Sequence, residues 1–129
     1  MPQTAQRDTS EIVARYTAVW NEAHAGSRLS AVQALWSSDG TEFVEGIAFR
    51  GHDELSARIG RAYEQLVASG RYTATADTDV ARHDDILTFT IQLTTPDEEV
   101  AWAARVFLIL NADGLIREDY HLTIKPLAA

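Results

Sequence analysis

The chain has 129 residues, the size of one ordinary domain, with 46% hydrophobic and 23% charged side chains, a mixture that argues against disorder and fibrous structure. It has no cysteine, which excludes disulfides, thiolate nucleophiles and Cys-based metal centres and fits a reducing, cytoplasmic setting. A formal charge of -8 repels phosphate backbones and anionic lipid, so neither nucleic acid nor membrane is an expected partner.

Met1 to Asp8 is polar and lacks the apolar stretch of a signal peptide, and the longest apolar run, Val100 to Leu110, is interrupted by Arg105. Asp8 and Glu11 have the spacing of a capping box. Behind them Ile12, Val13, Tyr16, Val19 and Trp20 recur at helical spacing, and this first helix is expected to end near Gly26. Leu29, Val32, Leu35 and Trp36 predict a shorter second helix, stopped by the turn signal Asp39-Gly40.

Thr41 to Phe49 reads as a short strand bent at Gly46. A third helix begins near Gly51-His52-Asp53, carries Leu55, Ile59, Ala62, Tyr63, Leu66 and Val67 on one side, and stops at Ser69-Gly70. From Arg71 the helical period gives way to four extended segments, separated at His83-Asp84-Asp85, Pro96-Asp97-Glu98 and Asn111 to Gly114, an antiparallel meander. Leu87, Phe89, Ile91 and Leu93 alternate with Thr88, Thr90, Gln92 and Thr94, giving one buried and one wetter face. These elements predict a single α+β domain, with an ordered core at about residues 8–125: three helices on the concave face of a cone-shaped, curved antiparallel sheet that encloses a pocket.

Several local runs carry a family resemblance: Arg15-Tyr16 to Trp20-Asn21, Leu35-Trp36 to Asp39-Gly40, Gly51-His52, His83-Asp84, and Asp113 to Ile116. Together with the element order they resemble the SnoaL-like branch of the nuclear transport factor 2-like superfamily, whose fold is also called cystatin-like. The resemblance implies a small-molecule pocket protein related to polyketide cyclases and ketosteroid isomerase. In the ketosteroid isomerase arrangement a carboxylate base works beside a tyrosine and a protonated aspartate. Tyr16 matches that tyrosine, whereas the two acidic positions fall on Val44 and Val106, so ketosteroid isomerase itself is excluded.

In the last strand Ile116, Tyr120 and Leu122 share one parity and Arg117, Asp119, His121 and Thr123 the other. Periodicity alone would bury the apolar set and leave Asp119 and His121 on a solvated face. The family register implies the reverse, with the odd positions lining the cavity and an apolar outer face, joined by Arg105, Phe107 and Ile109, that pairs with a second copy of the chain. Asp119 and His121 would then lie about 6.6 Å apart at strand rise, close enough for the carboxylate to orient the imidazole. Tyr16 would stabilise an enolate, with Trp20 stacked on a flat substrate.

The resemblance further implies walls of Leu87, Phe89, Ile91, Trp102, Ala104 and Val106 around a hydrophobic, ring-containing ligand, with His83 and Arg117 at the cavity. The expected chemistry is cofactor-free proton transfer next to a carbonyl, of the cyclase or isomerase kind. A dehydratase using His83 with His121, an epoxide hydrolase using Arg117 with Asp119, and a non-catalytic binding or dimerisation module are the alternatives. Read without the family, Tyr16, Trp20 and Trp36 are core residues, His83 is a turn residue, His52 belongs to a helix start and His24 is exposed. Glu42 shares the parity of Val44 and could replace a missing carboxylate, but Glu42 and Glu45 read as edge-strand solubility residues. His83, His121 and Asp119 form the single conceivable metal set and match no metal spacing, so no metal is expected. No nucleotide cofactor is implied either, because the chain lacks a glycine-rich phosphate loop and a nucleophile elbow.

Overall fold

A computed structural model describes residues 8–128, so the polar stretch Met1 to Arg7 lies outside the described residues. Helix α1 spans Thr9–Val19, capped by the Asp8 carboxylate, which accepts from the Ser10 amide. Glu11 reaches forward to Arg15 at 2.8 Å instead of closing the capping box. Helix α2 spans Ala25–Leu35. It starts earlier than the periodicity suggests, with Gly26 inside its first turn.

Strand β1, Trp36–Val44, follows α2 directly and runs through Asp39-Gly40, which is therefore not a helix-stopping turn. Gly40 is needed for a close approach: a Cβ there would lie 2.9 Å from the Ile116 carbonyl oxygen and from the Trp36 ring. Glu45 and Gly46, both at positive φ, turn the chain into β2, Ile47–Arg50, an antiparallel hairpin with β1. Helix α3, His52–Ala62, continues into a π-helical turn at Tyr63–Val67. The His52 ring is bonded to the Trp36 carbonyl at 2.9 Å, which ties the start of α3 to β1.

The predicted four-segment meander is present, with its first segment divided into β3, Thr73–Ala76, and β4, Ala81–His83. Both pair with β5, Ile86–Thr94. Asp79 accounts for the division, since its carboxylate leaves the ladder to accept from the Thr90 amide and hydroxyl and from Arg105. Strands β6, Val100–Leu110, and β7, Ile116–Lys125, complete a seven-stranded curved, unclosed sheet in the order β2-β1-β7-β6-β5-β3, with β4 beside β5. The pairing of β1 with β7 is parallel, in contrast to the antiparallel rest.

The core fills the hollow between sheet and helices. Ile12, Tyr16, Val32, Leu55 and Ile59 from the helices meet Leu87, Phe89, Val106 and Leu108 from the sheet, all fully buried. Burying each such apolar side chain contributes about 1.5–3 kcal/mol before conformational entropy is subtracted. Asn21 locks α1 to the sheet edge by pairing its side-chain amide with both backbone groups of Ala74, at 2.8 and 2.9 Å. That clamp holds Trp20 over the concave face. No helix among the described residues is long and apolar enough to cross a membrane.

Candidate functional site

On β7 the odd residues Asp119 and His121 face inward and are 0% and 5% exposed, while Tyr120 and Leu122 are 36% and 56% exposed on the outer face. This inward-polar register reverses what periodicity alone implies. It does not extend to Arg117. The ladder shifts between Ile109 and Leu110, which face Glu118 and Ile116. Arg117 is the extra residue of that irregularity and is exposed, so Ile116 and Asp119 both point inward. His83 sits on the β4–β5 hairpin with its side chain 91% exposed beside Asp84. The expectation that Arg117 and His83 reach the cavity is therefore corrected, and the His83–His121 and Arg117–Asp119 pairs do not form.

Three residues from three elements, Tyr16 from α1, Asp119 from β7 and Glu42 from β1, converge on Nε2 of His121. The Tyr16 hydroxyl, from α1, donates to Asp119 Oδ2 at 2.8 Å. Its oxygen meets His121 Nε2 in a short contact. Because the one phenolic hydrogen goes to the carboxylate, the tyrosine oxygen acts as acceptor there and Nε2 carries a hydrogen. Asp119 Oδ1 lies 3.2 Å from the same nitrogen.

The parallel pairing of β1 with β7 sets Glu42 directly beside Asp119 and Val44 beside His121. Glu42 is 1% exposed, and its Oε2 lies 3.3 Å from His121 Nε2. Its reading as a surface solubility residue is thus corrected. From α3, Arg58 donates to Glu42 through Nε at 3.1 Å and Nη2 at 3.4 Å, and its guanidinium lies 5.2 Å from the centre of the Trp20 ring.

Arg58 carries no expectation from sequence, although a signal is present: Leu55, Arg58, Ile59 and Ala62 fall on one helical face at i, i+3 and i+4, which places a charge in an apolar stripe. Without such a partner a buried Glu42 would be far too costly.

Burial drives the proton affinities of this network, and neighbouring charges correct them. Burial alone pushes the His121 imidazolium toward losing its proton. The charge and hydrogen bond of Asp119, together with the Glu42 charge, outweigh burial and hold its pKa above the ordinary 6.5. Burial raises the Glu42 pKa above 4.5, with His121 and Arg58 opposing the rise and Asp119 adding to it. Tyr16 is held well above 10 by burial and by the charges of Asp119 and Glu42, so it remains a neutral phenol. With His121 protonated, two cations face two carboxylates.

Beside this network lies a cavity of about 280 Å³. His121 forms part of its wall, while Tyr16, Asp119 and Glu42 stand behind that ring. Trp20, Ile91 and Trp102 line it as expected, joined by Phe49, Leu93 and Arg58. Phe89, Ala104 and Val106 do not line it. They are fully buried in the core, Phe89 edge-on to Tyr16 with ring centres 5.6 Å apart. Tyr16, Trp36 and Phe89 fill the deep end of the hollow, which displaces the open space toward α3 and the β1–β2 hairpin. Leu87 is buried in the same layer.

The pocket is thus mostly apolar, with the His121 ring, the Arg58 guanidinium, the Glu45 carboxylate and the Gln92 amide as polar groups of its lining. The carboxylates of Glu42 and Asp119 with the His121 imidazole could also hold a metal ion, their donor atoms lying within 4.8 Å of one another. This set differs from the one weighed from the sequence. A metal would have to displace the Nε2 hydrogen and compete with Arg58 for Glu42.

No protein-family model matches the chain, and no curated protein matches it in sequence. Solved structures do. The chain is similar to an isomerase candidate of the SnoaL-like family from Agrobacterium tumefaciens str. C58, with TM-score 0.79 and 20% identity over 95% of this chain and 98% of that one. It is similar to a protein with a cystatin-like fold from Methylobium petroleophilum PM1, with TM-score 0.70 and 19% identity over 99% and 81% of the two chains. A polyketide cyclase candidate from Sinorhizobium meliloti gives TM-score 0.66 and 14% identity over 89% and 99%. At these identities the likeness is one of fold, and the fold is the cystatin-like, nuclear transport factor 2-like α+β cone expected from the sequence.

Proposed function

We propose that the chain is a cofactor-independent acid–base enzyme that binds a small hydrophobic, ring-containing metabolite and moves a proton next to its carbonyl. The observation that carries this reading is the asymmetry of His121. Its Nε2 is engaged by Tyr16, Asp119 and Glu42, whereas Nδ1 is buried without a partner on a residue that lines the cavity. Such a ring has one nitrogen held in place by its supports and one free to exchange a proton with a ligand.

Neutral at Nδ1, His121 takes the proton from the carbon next to the carbonyl, leaving an enolate and an imidazolium; the imidazolium then returns a proton from Nδ1 to the enolate, at oxygen or at carbon. Asp119 and Glu42 act as positioning residues that stabilise the imidazolium. Tyr16 works through Asp119 and His121, a role that replaces direct contact with an enolate, because its hydroxyl is already committed and lies behind the cavity wall. Trp20 and Trp102 supply flat apolar surfaces for a ring. The cyclase and isomerase candidates of the same fold are in keeping with this chemistry without specifying it.

The test is hydrogen–deuterium exchange next to the carbonyl in a panel of cyclic ketones, followed by NMR in heavy water. Wild-type protein is expected to accelerate exchange for some members, and His121→Ala to lose at least ~100-fold of that acceleration. Equal rates would remove His121 from the mechanism.

We also propose that the outer sheet face pairs with a second copy of the chain. Phe43 and Tyr120 stack there with ring centres 4.9 Å apart, beside Leu122 and Ile124 at 56% and 61% exposure. An apolar face of that kind is what a homodimer covers.

A further inference from the structure

Three residues that line the cavity carry hydrogen-bond donors without acceptors, two of them just beneath its surface. Trp20 is 8% exposed, yet its buried Nε1 has no partner. His121, 5% exposed, leaves Nδ1 in the same state. Arg58 commits Nε and Nη2 to Glu42, and Nη1 donates to no acceptor among the described residues. The three residues gather around one indole: the His121 ring centre lies 5.8 Å from that of Trp20, and the Arg58 guanidinium carbon lies 5.2 Å from it on the other contact.

A buried donor without an acceptor costs about 1–3 kcal/mol, and folded proteins tolerate few of them. Two such donors and a spare guanidinium hydrogen bonder on one wall constitute a demand for acceptors that a ligand can meet. Acceptor capacity decides which ligand. A ketone oxygen offers two lone pairs, fewer than the three donors present, whereas a carboxylate offers about four sites and can accept from the guanidinium nitrogen that Arg58 does not give to Glu42. The rest of the lining is mostly apolar, with Leu93 and Trp102, and with Phe49 packed against the Arg58 guanidinium at 5.4 Å; Glu45 and Gln92 are its polar members. A volume of about 280 Å³ lies at the lower end of ligand pockets, which suits one or two rings.

We infer that the cavity takes a small hydrophobic carboxylate, one or two rings in size, with its carboxylate among Arg58, Trp20 and His121 and its ring against Trp102 and Phe49. This deepens the reading of the cavity as the substrate site and names the substrate class; it does not depend on proton transfer taking place.

The experiment is calorimetric titration of the full chain with cyclohexanecarboxylate and 2-naphthoate, each against its primary amide. The acids are expected to bind at least about tenfold more tightly than the amides, because charge-assisted hydrogen bonds are the stronger kind. Trp20→Phe keeps an aromatic ring but deletes Nε1, and should weaken acid binding about fivefold. Arg58→Met should weaken it more. Equal affinity for acid and amide, binding indifferent to both substitutions, or no acid binding at millimolar concentration would each overturn the inference.

The ketone exchange assay separates the two readings. Exchange into ketones by a protein that ignores acids removes the carboxylate and leaves the proton transfer standing. Specific acid binding without exchange into any ketone does the reverse.

Discussion

Glu42 and His121 meet at 3.3 Å, carboxylate to imidazole, on neighbouring strands that run parallel. Both residues are almost wholly buried, so the contact acts where water screens little, and Arg58 on the far side of Glu42 keeps that carboxylate from being an uncompensated charge. Glu42→Gln retains the shape and removes the charge. In the native protein the His121 resonances should titrate above 6.5, because Asp119 and Glu42 outweigh burial. In Glu42→Gln the midpoint should move down, and exchange activity should fall about tenfold if the imidazolium is the acid. NMR titration of the four histidines reads this directly, and an unmoved His121 midpoint would remove Glu42 from the network.

The same displacement links stability to pH. A histidine whose folded pKa lies above its unfolded 6.5 binds more protons in the folded state across that interval, so its contribution is complete below 6.5 and is lost as pH rises through the folded value. The raised Glu42 pKa acts with the same sign above 4.5. Urea midpoints should therefore be higher at pH 6 than at pH 8.5. In His121→Gln the difference between those two pH values should shrink; a midpoint that rises with pH in wild type would contradict the charge assignment.

Arg58→Met leaves Glu42 buried with only His121 to balance it. Removing one partner of a buried ion pair costs about 3 kcal/mol or more, and this loss should be visible as a lower urea midpoint at neutral pH. The double substitution Arg58→Met with Glu42→Gln should recover part of it, since no unpaired charge then remains. A loss that is simply additive would mean that Arg58 stabilises through its contacts with Trp20 and Phe49 alone.

Leu122→Glu places a charge on the outer sheet face, across from Arg105 and away from the cavity lining. Sedimentation should report a dimer for the wild type and a monomer for the variant, with exchange kinetics per chain changed by less than about twofold. A wild-type monomer at tens of micromolar would refute the pairing.

With His121 protonated, two carboxylates, one imidazolium and one guanidinium balance, so a divalent ion at Glu42, Asp119 and His121 has to displace a proton to enter. Dialysis against EDTA should leave the melting temperature unchanged, and added zinc or manganese should raise it by less than about 2 °C. Since a ligand at 100 times its Kd stabilises by about 2.7 kcal/mol, a resident metal would declare itself as a drop of several degrees after chelation.

Local periodicity was sufficient for most of the scaffold. The apolar spacing from Ile12 to Trp20, the Leu55 to Val67 stripe and the Leu87 to Leu93 alternation each mark an element that the structure contains, because a helix or strand buries one face and the residues on that face must repeat with its period. Where boundaries moved, a longer-range contact overrode the local signal. Asp39-Gly40 has turn chemistry, yet Gly40 is spent on the approach of β1 to β7, and the irregularity at Arg117 reverses a parity that counting by twos would have continued.

The inward parity of Asp119 and His121 was within reach of the sequence once the fold was recognised, since the curvature of the sheet determines which face is the hollow. Glu42 and Arg58 were not. A buried charge leaves no periodic mark of its own, and it is tolerable only when a counter-charge arrives from another element. Here that element is α3 for Glu42, and a strand paired in parallel across the sheet for His121. Sequence thus determined the elements and the hollow between them. Which ionisable groups share that hollow was decided by strand pairing and helix docking, because electrostatic compensation depends on distances in space and not on spacing along the chain.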